Sequence, residues 1–100
     1  MYLKAINIKA IEKQKNSNIL VVENRYEKMG ASLYKINEDA TNIITSLDGN
    51  HKLDDIAIKM CDGDLSLLNN SKNNLVKFLN LLQVNYGIII ENWMMLVITR

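Results

Sequence analysis

The chain predicts an α+β domain in which strands come first and helices follow. Three observations point there. Ile19–Glu23 holds two valines in succession between turn-forming asparagines, the composition of a strand. Ala31–Ile36 alternates, with Leu33 and Lys35 on one face and Ser32, Tyr34 and Ile36 on the other. From Ala40 onward the period changes, and apolar residues recur at three- and four-residue intervals, as on one face of a helix.

Taken in order, Tyr2–Ile8 is apolar and β-branched enough for a strand, while Ile11 also permits a short helix. Lys13–Asn18 reads as a polar connector to the Ile19–Glu23 strand. Arg25–Met29 either continues that strand or pairs with it, and Gly30 punctuates the chain before Ala31–Ile36. Asn37 is a good N-cap, and Glu38 and Asp39 sit in the first turn, where the helix dipole favours negative charge. Ala40, Ile43, Ile44 and Leu47 give that first helix one buried stripe, and Asp48-Gly49 ends it. A second helix is expected over about Leu53–Cys61, with Ile56, Ala57 and Met60 inward. Asp62-Gly63-Asp64 breaks the chain again. Ser71 is the expected cap of a third helix carrying Leu75, Phe78, Leu79, Leu82 and Tyr86. Gly87 stops it, and Ile88–Ile90 forms a short apolar strand. The sum is one domain, residues 1–100, with a winged-helix-like plan: a small antiparallel β-sheet followed by three α-helices and a short C-terminal strand.

Composition narrows the function classes. With 12 Lys and Arg against 11 Asp and Glu, the formal charge is +1, so the basic excess of a phosphate-tracking protein is missing and nucleic acid is not an expected partner. One cysteine, Cys61, makes no internal disulfide and has no second soft ligand for zinc. Met1–Ala10 does not read as a signal peptide. The longest apolar stretch, Trp93–Ile98, is too short to span a bilayer, so no membrane association and a cytoplasmic location are expected.

Catalytic chemistry is hard to assemble. His51, the single histidine, follows the Asp48-Gly49-Asn50 turn and reads as a solvated loop residue. Cys61 lies at a helix C-terminus, where the dipole disfavours a thiolate, and reads as a small buried side chain. The pairs Glu38-Asp39 and Asp54-Asp55 occupy first helical turns, and adjacent helical residues do not face each other as an acid/base dyad must. Asp62-Gly63-Asp64 resembles a fragment of a calcium loop without its closing Glu, so a turn is expected. No glycine-rich phosphate loop occurs. The expectation is a non-enzymatic protein with no cofactor and no metal site.

Several segments, in order, resemble the PqqD-like family of peptide-recognition domains. Leu33-Tyr34-Lys35-Ile36-Asn37-Glu38-Asp39-Ala40-Thr41 is similar to the family's strand followed by Leu-Asn-Glu-Thr-Ala. Ile43-Ile44 with Leu47-Asp48-Gly49 resembles the end of its first helix, and Leu53-Asp54-Asp55-Ile56 the acidic start of its second. Phe78-Leu79, Leu82 and Gly87-Ile88-Ile89 resemble its close. The likeness covers roughly residues 19–90. It departs where Ile36 replaces the usual Leu, where Asp39-Ala40-Thr41 transposes a Thr-Ala pair, where the gap from Leu82 to Gly87 is one residue longer, where the His51-Lys52 position lacks a Thr cap, and where the tail Trp93–Arg100 extends past the family's usual end.

The resemblance implies a winged-helix-like fold that binds the leader of a ribosomally made precursor peptide by β-strand addition. The domain then presents the leader to a modifying enzyme, such as a radical S-adenosylmethionine enzyme or a leader protease. On that expectation Ala31–Ile36 is the docking edge, with Ser32, Leu33, Tyr34, Lys35 and Ile36 contributing from the strand. Asn74, Lys77, Phe78 and Leu81 contribute from the third helix, while Leu75, Leu79 and Leu82 turn to the core. The bland alternatives are that Leu33, Phe78 and Leu81 are core residues and that Lys35 and Lys77 are simply solvated. If the lysines act, they attract an acidic leader. The apolar tail, Trp93–Ile98, is either a strand hairpinning on Ile88–Ile90 or a docking patch for the enzyme or for a second copy in a homodimer. Two rival functions are a winged-helix DNA-binding regulator, which the single basic residue, Lys77, within Leu75–Tyr86 disfavours, and an interaction or immunity protein that binds through the tail.

Overall fold

The computed structural model of the chain describes residues 1–24 and 30–93. Six strands and three helices follow in the order β1 (Leu3–Ala5), β2 (Ile8–Lys13), β3 (Asn18–Glu23), β4 (Ala31–Ile36), α1 (Glu38–Thr45), β5 (Asp48–His51), α2 (Leu53–Met60), α3 (Leu68–Asn85) and β6 (Ile90–Glu91). A 3-10 turn, Leu65–Leu67, leads into α3. The α+β class is as the sequence predicts, but there are two three-stranded antiparallel sheets, ordered β2-β3-β4 and β5-β1-β6.

The β2-β3-β4 sheet follows from its side-chain alternation. Asn18, Leu20 and Val22 of β3 are buried, whereas Ile19 and Val21 are half-buried on the opposite face. Leu20 is opposite Tyr34 and Val22 opposite Ser32, so the inward faces coincide across the ladder. In β2 the register shifts between Ile8 and Ala10, and this bulge turns both Ile8 and Ile11 toward the core. The bulge makes a strand where residues 8–13 carry no clean alternation.

Asn37 caps α1 as expected, its Oδ1 accepting from the Ala40 amide at 2.8 Å. The helix ends at Thr45 with Ser46 as C-cap, and the Asp48-Gly49 turn expected to stop it belongs instead to β5. Gly49 adopts φ +86°, and Asp48 Oδ1 accepts from the Asn50 amide, so a turn-like sequence is drawn into pairing with β1 by a second bulge. His51 therefore lies in a strand rather than a loop. In α2 the inward residues are Ile56 and Ala57, followed by the C-cap Cys61; Met60, expected inward, is exposed. Helix α3 begins at Leu68, not at Ser71, because Asp64 accepts from the Ser66 amide and starts the preceding 3-10 turn. The last strand among the described residues is Ile90–Glu91 rather than Ile88–Ile90, and it pairs with β1.

The core comprises Leu3, Leu20, Val22, Ile36, Ile44, Leu47, Ile56, Ala57, Leu75, Leu79, Leu82, Ile88 and Ile90. Each fully buried Leu or Ile contributes about 1.5–3 kcal/mol of transfer free energy. Asn7, between β1 and β2, joins the two sheets. Its Nδ2 donates to the carbonyls of Glu23 (3.1 Å) and Gly87 (2.9 Å), and its Oδ1 accepts from the Ile89 amide at 2.8 Å. A second buried polar contact runs from Asn18 Nδ2 to Thr41 Oγ1 (2.8 Å) and to Glu38 Oε2 (3.1 Å), locking β3 to α1. No helix among the described residues is long and apolar enough to cross a membrane. The alternatives for Arg25–Met29 lie outside the described residues, as does the tail reading beyond Trp93. Trp93 itself packs against the core, and its Nε1 donates to Asn80 Oδ1 at 3.1 Å.

Candidate functional site

Among the described residues strand β4 is an edge of its sheet, pairing with β3 alone. The ladder register decides which of its backbone groups remain open. The Asn24 amide donates to the Gly30 carbonyl at 3.0 Å, continuing the β3–β4 register by one pair, so Gly30 is a directly bonded position. Antiparallel pairs alternate between bonded and non-bonded, so Ser32, Tyr34 and Ile36 aim their amides and carbonyls at β3. Ala31, Leu33 and Lys35 aim theirs at the open margin. The Glu23 amide confirms the phase: opposite Ala31, it points away from β4 and donates to the Asn7 carbonyl at 2.8 Å.

Side chains sort along the same alternation. Ser32 and Tyr34 are half-buried and Ile36 is buried on the core side. Leu33 and Lys35 stand exposed on the outer face, Leu33 at 66%. Leu33 is therefore not a core residue. Ile36 has its side chain in the core and its backbone bonded to β3, which leaves it no surface for a guest and removes it from the contact set expected of the strand. Ala31 joins that set instead, through its open backbone. Its alanine side chain gave no sign of this, and only the pairing phase identifies it.

Tyr34 links the strand to α3. Its ring lies parallel to that of Tyr86, the C-cap of the helix, with centroids 4.5 Å apart. On α3 the expected division holds for Leu75, Leu79 and Leu82, which are buried. At roughly 100° per residue, Asn74, Phe78 and Leu81 fall on the flank away from Lys72, which pairs with Asp54 of α2 at 2.9 Å. Asn74 and Lys77 are exposed, Phe78 is half-buried against the core, and Leu81 is 41% exposed. The structure thus brings Leu33, Tyr34 and Lys35 together on one edge and Asn74, Lys77, Phe78 and Leu81 together on one flank. Tyr86, which joins the two elements, was legible only as a core position.

Elsewhere the polar groups serve the fold. Asp48 Oδ1 accepts from His51 Nδ1 at 3.0 Å; this bond, then the Asn50 amide, holds the Asp48 carboxyl below its ordinary value. Glu38 pairs with Lys13 at 3.7 Å, Asp54 with Lys72 at 2.9 Å, and Asp55 accepts from the Lys52 amide at 3.0 Å, so these three first-turn carboxylates are engaged in capping and surface pairing. Cys61 is buried, and its thiol donates to the Ile58 carbonyl. Among the described residues no group of three or more His, Cys, Asp or Glu is placed to hold a metal. No protein-family model, curated protein or solved structure matches the chain.

Proposed function

We propose that the chain is a non-catalytic peptide-binding module that takes the leader of a ribosomally made precursor as an added strand on β4. The observation that carries this reading is the open margin of β4 among the described residues, where Ala31, Leu33 and Lys35 direct main-chain donors and acceptors outward from a strand tied to the end of α3 by the Tyr34–Tyr86 ring pair. An edge of this kind gives sequence-tolerant affinity through backbone pairing, and the side chains beside it supply selectivity. Leu33 and Lys35 would meet one face of the guest. Tyr34, with Phe78 and Leu81 of α3, would meet the other. Lys35 and Lys77 favour an acidic leader by steering and selection.

The bound leader tethers its core peptide, which becomes a local substrate for a partner enzyme such as a radical S-adenosylmethionine enzyme or a leader protease. Cofactors belong to that partner. The test is titration of the labelled leader of any short precursor peptide found encoded beside this chain, followed by fluorescence anisotropy and by amide shifts. Saturable binding with the largest shifts at Ala31, Leu33 and Lys35 is expected. No binding at high micromolar concentration would count against the reading, as would shifts confined to other strands.

A further inference from the structure

We infer that, without a guest, β4 pairs with β4 of a second copy of this chain about a two-fold axis at Leu33. The open margin consists of three positions, Ala31, Leu33 and Lys35, evenly spaced about the central one. An antiparallel copy laid against that margin meets it in register with itself. Leu33 faces Leu33 of the second copy, and each Ala31 faces a Lys35. Each of these pairs exchanges two main-chain bonds, about six in all. The outward positions of β4 are used completely, and none of its bonds to β3 is disturbed.

Two rows of side chains on the outer face favour a second copy as the occupant. Ala10, Val21 and Leu33 are cross-strand neighbours, so joining two sheets at Leu33 makes one apolar row across six strands. Leu33, exposed at 66% in the single chain, becomes its middle. In the adjoining row Lys35 meets the second copy's Ala31, whose own neighbour on β3 is Glu23. Two strand spacings, about 10 Å in total, separate that Lys35 from that Glu23. A lysine and a glutamate reaching over an intervening alanine span such a gap. The pairing is thus complementary in hydrogen bonds, apolar surface and charge. An interface one strand wide is weak, which leaves the edge available to a tighter-binding guest.

This inference concerns the free protein and does not require that a leader bind. Sedimentation equilibrium of the unmodified chain tests it directly, with the mean mass expected to rise from one chain toward two between about 10 μM and 1 mM, the range of weak interfaces. The register is tested by cysteines in a Cys61→Ala background. Mild oxidation of an Ala31→Cys and Lys35→Cys mixture should give several-fold more mixed disulfide dimer than either variant gives of its own homodimer. A constant monomer mass up to 1 mM overturns the inference. Equal cross-linking in every combination also overturns it, since that reports random collision. A leader that binds a strictly monomeric chain removes the self-pairing and leaves the peptide-binding reading standing.

Discussion

The rings of Tyr34 and Tyr86 are stacked, 4.5 Å between centroids and 7° from parallel, and they tie the edge strand β4 to the end of α3. Such a pair contributes about 0.5–1.5 kcal/mol beyond the apolar area it buries. A double-mutant cycle with Tyr34→Leu and Tyr86→Leu, read by urea unfolding, should return a coupling energy of about 1 kcal/mol. Additive single effects would mean that the two rings act independently.

Leu33→Pro separates main-chain from side-chain recognition. The Leu33 amide points to the open margin, so proline there breaks no bond to β3, and the unfolding free energy should fall by only about 1 kcal/mol. Leader affinity should drop at least roughly tenfold, about 1.4 kcal/mol. Leu33→Ala keeps the amide and should cost less affinity than proline. The reverse order, measured by anisotropy titration, would point to side-chain docking without strand addition.

Charge reversal at the rim tests the leader's chemistry. Lys35 is exposed on the edge strand and Lys77 on α3. Lys35→Glu with Lys77→Glu should slow association with an acidic leader by about tenfold at low salt, and the difference from the unmodified chain should shrink as salt rises. Stopped-flow association rates at two ionic strengths measure this.

The elements that local pattern specifies were legible. Leu33 and Lys35 alternate against Ser32, Tyr34 and Ile36 along β4, and Asn37 with Glu38 and Asp39 announces α1. The elements that tertiary pairing specifies were not. Ile8 and Ile11 are three apart and resemble a helical face, because the bulge in β2 turns both inward. Asp48-Gly49-Asn50 has turn composition, yet pairing with Leu3 and Lys4 makes it a strand. The candidate site divides in the same way. Sequence period assigns the two faces of β4, but only the phase of the β3 ladder shows that Ala31 presents open backbone and that Ile36 does not.

Asn7→Ala should be among the most damaging polar substitutions. The side chain is buried, and it satisfies the Glu23 carbonyl at the end of β3 and the Gly87 carbonyl and Ile89 amide of the stretch between α3 and β6. Deleting it leaves those groups without partners in a buried site, at a cost of about 3 kcal/mol. Urea unfolding measures the loss. Faster hydrogen exchange at Ile89 should accompany it, while the Leu33 amide at the open margin should be unchanged.

Asp48 sets an acid dependence of known sign. The His51 ring nitrogen, then the Asn50 amide, stabilises its carboxylate in the folded chain and depresses its pKa below the ordinary 3.8. A depressed carboxyl contributes stability above its unfolded value and loses it as pH falls through the folded one. The contribution is therefore intact at neutral pH and disappears on acidification below the usual carboxylate range. It is small, because the group is solvated. Side-chain carboxyl NMR should show Asp48 titrating below 3.8, and His51→Ala should move the midpoint up toward that value. An unmoved midpoint would assign the shift to the Asn50 amide rather than to His51.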